Sequence, residues 1–333
     1  MPNPIFRIYA DGVDVTGKIQ GAGIALSIND GEGLQADTAQ IIIDNATGTV
    51  IPPRKGATLR IVGGYEDRMR DFGLFIVDGR SFTGFPRRIE INAKSVEATK
   101  LAKQREPKAY PAKDFPTYGD IFAHIASTIG VTLHISASIK ALKNAYEVQS
   151  EEDGLEFTTR IGEKLNASVT VKAGNLVVTE KGSGKSASGA TLDRIKIAAG
   201  LNLLSFSVND TDEPKHSDVE ATFYDRDKNE RSTVKVGTTM DGPKFLIRTP
   251  FQDKEEAEQA AKAKSKELTR MQGSASFTID GEPFAQAEAW AEVSGCGPGV
   301  DGEWRVSTVS HNFTSDAPYT CTIQSDVPTG DDE

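Results

Sequence analysis

Residues 302–328 restrict the fold of this chain more than any other stretch. GEWRVSTVSHNF is followed, after a short polar turn, by APYTCTIQSDVP. Trp304, Val306 and Thr308 alternate with Arg305, Ser307 and Val309; Tyr319, Cys321 and Ile323 alternate with Thr320, Thr322 and Gln324. A period of two predicts a half-buried antiparallel strand pair.

The first hundred residues read the same way. Asp11-Gly12 sits between alternating runs, a strong hairpin signal. Strands are predicted at 24–28, 39–44, 57–62, 72–78 and 88–93, separated by Gly-, Asn- and Pro-rich turns. From residue 192 the pattern returns, with strands at 203–208, 218–224, 231–236, 244–248, 275–280 and 288–293. Short strands at this spacing suggest barrels or sandwiches. One helix interrupts this second region, from Asp253 to Met271. Its first turns are acidic and its later turns basic, as the helix dipole favours. Its apolar stripe is thin: Ala257, Ala260, Ala261, Leu268 and Met271. Such a helix covers a sheet or lies between subunits.

Between the two β regions the character changes. Residues 103–116 (KQREPKAYPAKDFP) have no apolar period and read as a linker. Thr117-x-x-Asp120 has the form of a capping box, Ile121, Ile125 and Ile129 share one helical face, and Gly130 can end the helix. The arrangement recurs 36 residues later on Phe157, Ile161 and Leu165, after Ser150-x-x-Asp153, with Asn166 at the end. A strand follows each helix, so residues 117–181 are expected to form a small α+β domain. GSGKSASG, within a second linker at 182–191, lacks the leading glycine of a phosphate-binding loop, because that position is Thr179.

No catalytic, metal or cofactor constellation is legible. His124, His134, His216 and His311 fall in no HxxxH or HExxH spacing, and Cys296 and Cys321 fit neither a metal motif nor a disulfide framework. The 333 residues carry a net charge of −10 without a basic stripe, which argues against gripping nucleic acid. No window approaches the about 18 apolar residues of a membrane helix, and no signal peptide is visible in MPNPIFRIYADG. A non-enzymatic protein made in the cytoplasm is expected.

Several segments, in order, resemble one family. IYADGVDVTGKI, DTAQIIIDN, IPPRKGATLRIVGGY and DFGLFIVDG open the series. YEVQSEEDGLEFTTRIGEKLNASVTVKAGNLVV, PFQDKEEAEQAAKAKSKELTRMQGSASFTIDG and the C-terminal hairpin complete it. Together they resemble the hub proteins of contractile phage tails, the late control D family, and the N-terminal half of type VI secretion spike proteins. One departure is FAQAEAW before the strand at 288–293, where family members often place a glycine. The resemblance implies a mainly β fold with an α+β insert: tube-like β-barrel domains at 1–102 and 192–328 flanking the middle domain, then an acidic tail at 329–333. It implies a homotrimer with pseudo-sixfold symmetry that joins a hexameric tail tube to a trimeric spike, within a virion baseplate assembled in the host bacterial cytoplasm. Partners would be further copies of itself, the tube protein, the spike protein and other baseplate proteins, with no cofactor, no specific nucleic-acid binding and no membrane insertion. Interface residues are expected on the Ala-rich helix (Ala257, Ala261, Leu268) and the last hairpin (Trp304, Arg305, His311, Tyr319). The alternative is a module binding cell-wall glycan through residues 117–181, whose aromatics are Tyr118, Phe122, Tyr146 and Phe157.

Overall fold

A computed structural model describes residues 3–33, 37–96, 107–172, 174–185, 190–210, 215–225, 228–238, 240–270, 273–315 and 317–327. The N-terminal region holds β1 (Pro4–Ala10), β2 (Val13–Asp14), α1 (Thr16–Gln20), β3 (Ile24–Gly31), β4 (Thr38–Asp44), β5 (Thr58–Tyr65), β6 (Arg68–Thr83) and β7 (Arg88–Ser95). The middle region holds β8 (Lys108–Pro111), α2 (Tyr118–Ile129), β9 (Thr132–Ile135), α3 (Ala137–Lys140), β10 (Tyr146–Gln149), α4 (Gly154–Lys164), β11 (Ala167–Lys172) and β12 (Asn175–Glu180). The C-terminal region holds β13 (Ile195–Ala198), β14 (Leu203–Asp210), β15 (Asp218–Asp225), β16 (Glu230–Gly237), β17 (Phe245–Phe251), α5 (Lys254–Arg270), β18 (Gly273–Asp280), β19 (Trp290–Ser294), β20 (Gly302–Thr314) and β21 (Thr320–Asp326). The molecule is mainly β with an α+β insert, as expected.

The predicted strands form, and local chemistry explains their turns. Asp11 and Gly12 both take positive φ between β1 and β2, which a two-residue hairpin of this hand requires. The two flanking regions were expected as tube-like β-barrel domains. Here they are two arms of a single 13-stranded sheet, joined where β3 pairs antiparallel with β20. Among the described residues no ladder closes either arm on itself. One apolar core runs under both arms, from Ile8, Leu26 and Ile41 to Phe277, Val309 and Ile323.

The last hairpin pairs as predicted, but its strict alternation does not hold. A bulge between Val306 and Thr308 inserts one extra residue into β20. Val306 and Val309 are therefore both buried, and His311 and Phe313 follow them into the core, while Thr308 turns outward.

The middle module has its own core, built on Phe122, Phe157, Ile161 and Val178. β12 lies between β9 and β11, parallel to the first and antiparallel to the second. Thr117 and Asp120 make both legs of the capping box at α2, and Gly130 ends it in the left-handed region. The second helix starts later than the Ser150 signal implied. Asp153 is itself the cap, reciprocated by Glu156, because an Asp followed three residues on by Glu satisfies two free amides at once. The linker expected at 103–116 also needs correction. Lys108–Pro111 is β8, paired with β10, and Tyr110 is buried in the module's core, stacked on Phe157. Prolines at the strand's end hid it, since an edge strand tolerates them.

α5 packs over the three-stranded sheet β16-β15-β17, burying Ala257 and Ala261 against Val219, Ala221 and Phe223, while the Ser265 hydroxyl donates to the Gly237 carbonyl. The helix is the cover of a small sheet. Residues 97–106, 186–189 of the second linker, Met271, Pro328 and the tail at 329–333 lie outside the described residues.

Candidate assembly interface

Six of the seven expected interface residues are buried inside the chain, and Leu268 is partly buried. Ala257 and Ala261 face β15. Trp304 packs edge-on against Phe277 and donates its indole N–H to the Val300 carbonyl at 2.8 Å. These side chains hold parts of one chain together. Which surface covers them was not legible in the sequence.

His311 and Tyr319 form a buried polar cluster beside Cys321. His311 Nε2 lies 3.1 Å from the Ala285 carbonyl, which can only accept, so Nε2 carries the proton. Nδ1 then accepts from the Tyr319 hydroxyl at 2.7 Å. The Cys321 thiol sits 3.3 Å from the same nitrogen, and burial pushes it up to about 11. A thiol held protonated in a closed core is a packing group, not a nucleophile.

Arg305 gathers acids from three elements. It bonds Asp326 of β21 at 2.9 Å, contacts Glu32 just after β3, and lies 3.5 Å from Glu288 ahead of β19. Lys181, from the end of the middle module, bonds the other oxygen of Glu32 at 2.7 Å. Nearby, Arg270 at the end of α5 donates to Asn166 of the middle module at 2.7 Å. The two arms, the middle module and α5 thus meet through paired charges. Glu288 has φ +68, unusual for a residue with a side chain. Burial pushes its carboxyl above the usual range, opposed in part by the Gly182 amide and Lys181.

A pH dependence follows. A native pKa raised above the unfolded value makes the folded state bind its proton more tightly. That contribution is full below the ordinary carboxylate range and is lost as pH rises through the raised value. Glu288→Gln should therefore flatten the stability profile between about pH 5 and pH 8 relative to the parent. Urea denaturation of both proteins at the two pH values checks this; parallel profiles would contradict it.

Strand order exposes a duplication that composition conceals. The N-terminal arm runs β3-β4-β7-β6-β5-β1 and the C-terminal arm β14-β18-β21-β20-β19-β13, matched in chain order as well as in space. The first four ladders of each arm are antiparallel; only the last differs, β1–β5 being antiparallel and β13–β19 parallel. Matching bulges interrupt β6 between Val77 and Gly79 and β20 between Val306 and Thr308. The Val77 amide bonds the Ala57 carbonyl and the Gly56 amide the Val77 carbonyl, just as Val306 bonds Ala289 and Glu288 bonds Val306. Glu288 hence occupies the place of Gly56, whose φ is +80. Within FAQAEAW, Glu288 thus holds the conformation that a glycine holds in the first arm. With this alignment ALSIND at 25–30 falls on SFSVND at 205–210, and AQIIIDN at 39–45 on ASFTIDG at 275–281. Sequence reasoning missed both echoes, because residues 211–272, with β15–β17 and α5, separate β14 from β18 where β3 and β4 are close.

The duplication makes two exposed edges informative. Among the described residues β14 pairs only with β18, and its other edge is open. Phe206, 46% exposed, stands where Leu26 is buried in β3, and Leu204, 55% exposed, is the extra residue of a register shift in β14. β6 pairs with β5 only as far as Ile76, so its second half has β7 on one side and no described strand on the other. Phe82 there is 62% exposed.

No family model matches the chain. A curated relative from Escherichia phage 186 is 25% identical over 99% of this chain and 94% of its own length, and is described as "Probable baseplate hub protein". The chain is similar from end to end to a phage baseplate hub protein. Among solved structures, a 43 kDa tail protein of prophage MuSo2 from Shewanella oneidensis superposes with a TM-score of 0.73 at 14% identity, covering 98% of this chain and 99% of that one. The Escherichia coli protein c3393, a component of the type VI secretion system, superposes with a TM-score of 0.60 at 10% identity, covering 93% and 74%. The fold is that of phage tail proteins and their type VI secretion relatives.

Among the described residues no group of three His, Cys, Asp or Glu could hold a metal ion, and no helix is long and apolar enough to cross a membrane. A groove of about 720 Å³ between the middle module and α5 is lined by Leu142, Leu165, Val236, Lys262 and Lys266, with Glu180 its one carboxylate.

Proposed function

We propose that this protein is a structural baseplate hub of a contractile phage tail: a homotrimer that joins a sixfold tail tube to a threefold spike. The observation that carries this reading is the six-strand unit repeated within one chain. Three copies of such a chain present six similar units, so one face can match a sixfold partner while the other keeps threefold symmetry. The end-to-end likeness to a relative described as a baseplate hub protein supports the same role. Tube, spike and neighbouring baseplate proteins would be its partners, in a virion baseplate assembled in the host cytoplasm. Its work would be done by surfaces, without catalysis.

The glycan-binding alternative loses its instruments. Tyr118, Phe122 and Phe157 are buried in the middle module's core, leaving Tyr146 exposed. A sugar face needs aromatic rings open to solvent.

Light scattering should return a mass near three times 35.8 kDa, for the protein alone or mixed with its spike. A stable monomer that captures neither tube nor spike protein would overturn the proposal.

A further inference from the structure

We infer that the open edge of β14 in one copy pairs antiparallel with the free half of β6 in the next copy, in the register that β3 and β20 use inside the chain. This rests on the trimer reading and adds the surface that builds it. The argument is continuity with an interface already formed. Within the chain, the first strand of one unit docks on the long strand of the other: Ala25–Gly31 on Thr308–Thr314. By the alignment of the two arms, β14 is the counterpart of β3, and residues 79–85 are the counterpart of 308–314. Each chain thus carries one such junction closed and both halves of a second one open. A head-to-tail contact of this type generates a ring when its rotation closes, and three chains would close it with six equivalent junctions.

Side chains support the copied register. His311 opposes Ile28 and Phe313 opposes Leu26 in the closed junction. At the open one Phe82 would oppose Val208, and Gly84 would oppose Phe206. The exposed apolar groups of the two edges would then cover one another. Ser310 Oγ donates to Asn29 Oδ1 at 2.6 Å, and Ser27 Oγ to Asn312 Oδ1 at 2.8 Å. The copied positions are Ser81 with Asn209, the same pair of residue types, and Thr83 with Ser207. An open apolar edge strand is otherwise a liability that soluble proteins blunt with charge. β14 has no charged residue from Leu203 through Asn209.

The test is a cysteine pair. Opposed residues in an antiparallel ladder have Cα atoms about 4.5–5.5 Å apart, within the reach of a disulfide. Thr83→Cys and Ser207→Cys are combined in a Cys296→Ser background, since Cys296 is the less buried native thiol. Under a mild oxidant, covalent dimers and trimers are expected from the double variant, and none larger than dimers from either single variant. Phe206→Glu should weaken self-association at least about tenfold while the far-UV spectrum stays unchanged, because Phe206 is exposed within one chain. A protein that is trimeric by light scattering yet forms no cross-link, and is indifferent to Phe206→Glu, overturns this junction and leaves the trimer standing. A protein that is monomeric at every concentration and with its spike overturns both.

Discussion

Arg305→Ala should cost about 3–5 kcal/mol of folding stability, the range for removing one partner of a buried ion pair. The guanidinium is fully buried and faces Glu32, Glu288 and Asp326, which come from the end of β3, the approach to β19 and the end of β21. Alanine leaves these carboxylates without their shared cation and opens a cavity beside them. Arg305→Lys keeps the charge but loses the planar fork that reaches several acids at once, so it should recover only part of the loss. Urea denaturation reads the difference directly. A loss below about 1 kcal/mol for the alanine variant, the scale of an exposed pair, would mean that Arg305 does not hold the junction.

Phe313→Ala should cost a similar amount, about 3–5 kcal/mol. The ring stacks on Tyr319 with centroids 4.0 Å apart and meets Phe6 and Phe72 edge-on. It also fills the space above Gly63, where a Cβ would stand 2.7 Å from the ring. Phe6, Gly63 and Phe72 belong to the first arm, Phe313 and Tyr319 to the second. The variant should therefore loosen the contact between arms before either arm melts, seen as faster amide exchange in β3 and β20 than in β4 and β18. Uniform loss of protection across all four strands would contradict that ordering.

Local signals carried much of the architecture. The Asp-Gly turn, the Thr117–Asp120 capping box, Gly130 and the strand alternation each satisfy nearby backbone groups, so neighbouring residues suffice to read them. Errors came where distant contacts decide. The alternation in β20 fails at its bulge, which lies in the ladder with β21. Lys108–Pro111 looked like a linker, since only β10, more than thirty residues away, makes it a strand. Trp304, Arg305, His311 and Tyr319, expected at an interface, are buried within the single chain. Their chemistry does not say whether the matching surface belongs to the same chain.

From residues alone came the mainly β character, the helix–strand insert and the resemblance to tail hub proteins, because apolar period and turn chemistry act over a few residues. Only the tertiary structure decided that the two β regions share one sheet, that each repeats the other's strand order, and that β14 and the end of β6 are left open. Those facts depend on hydrogen bonds between residues far apart in the chain, such as Ser27 and Asn312, 285 residues apart. No local pattern encodes which edges find each other.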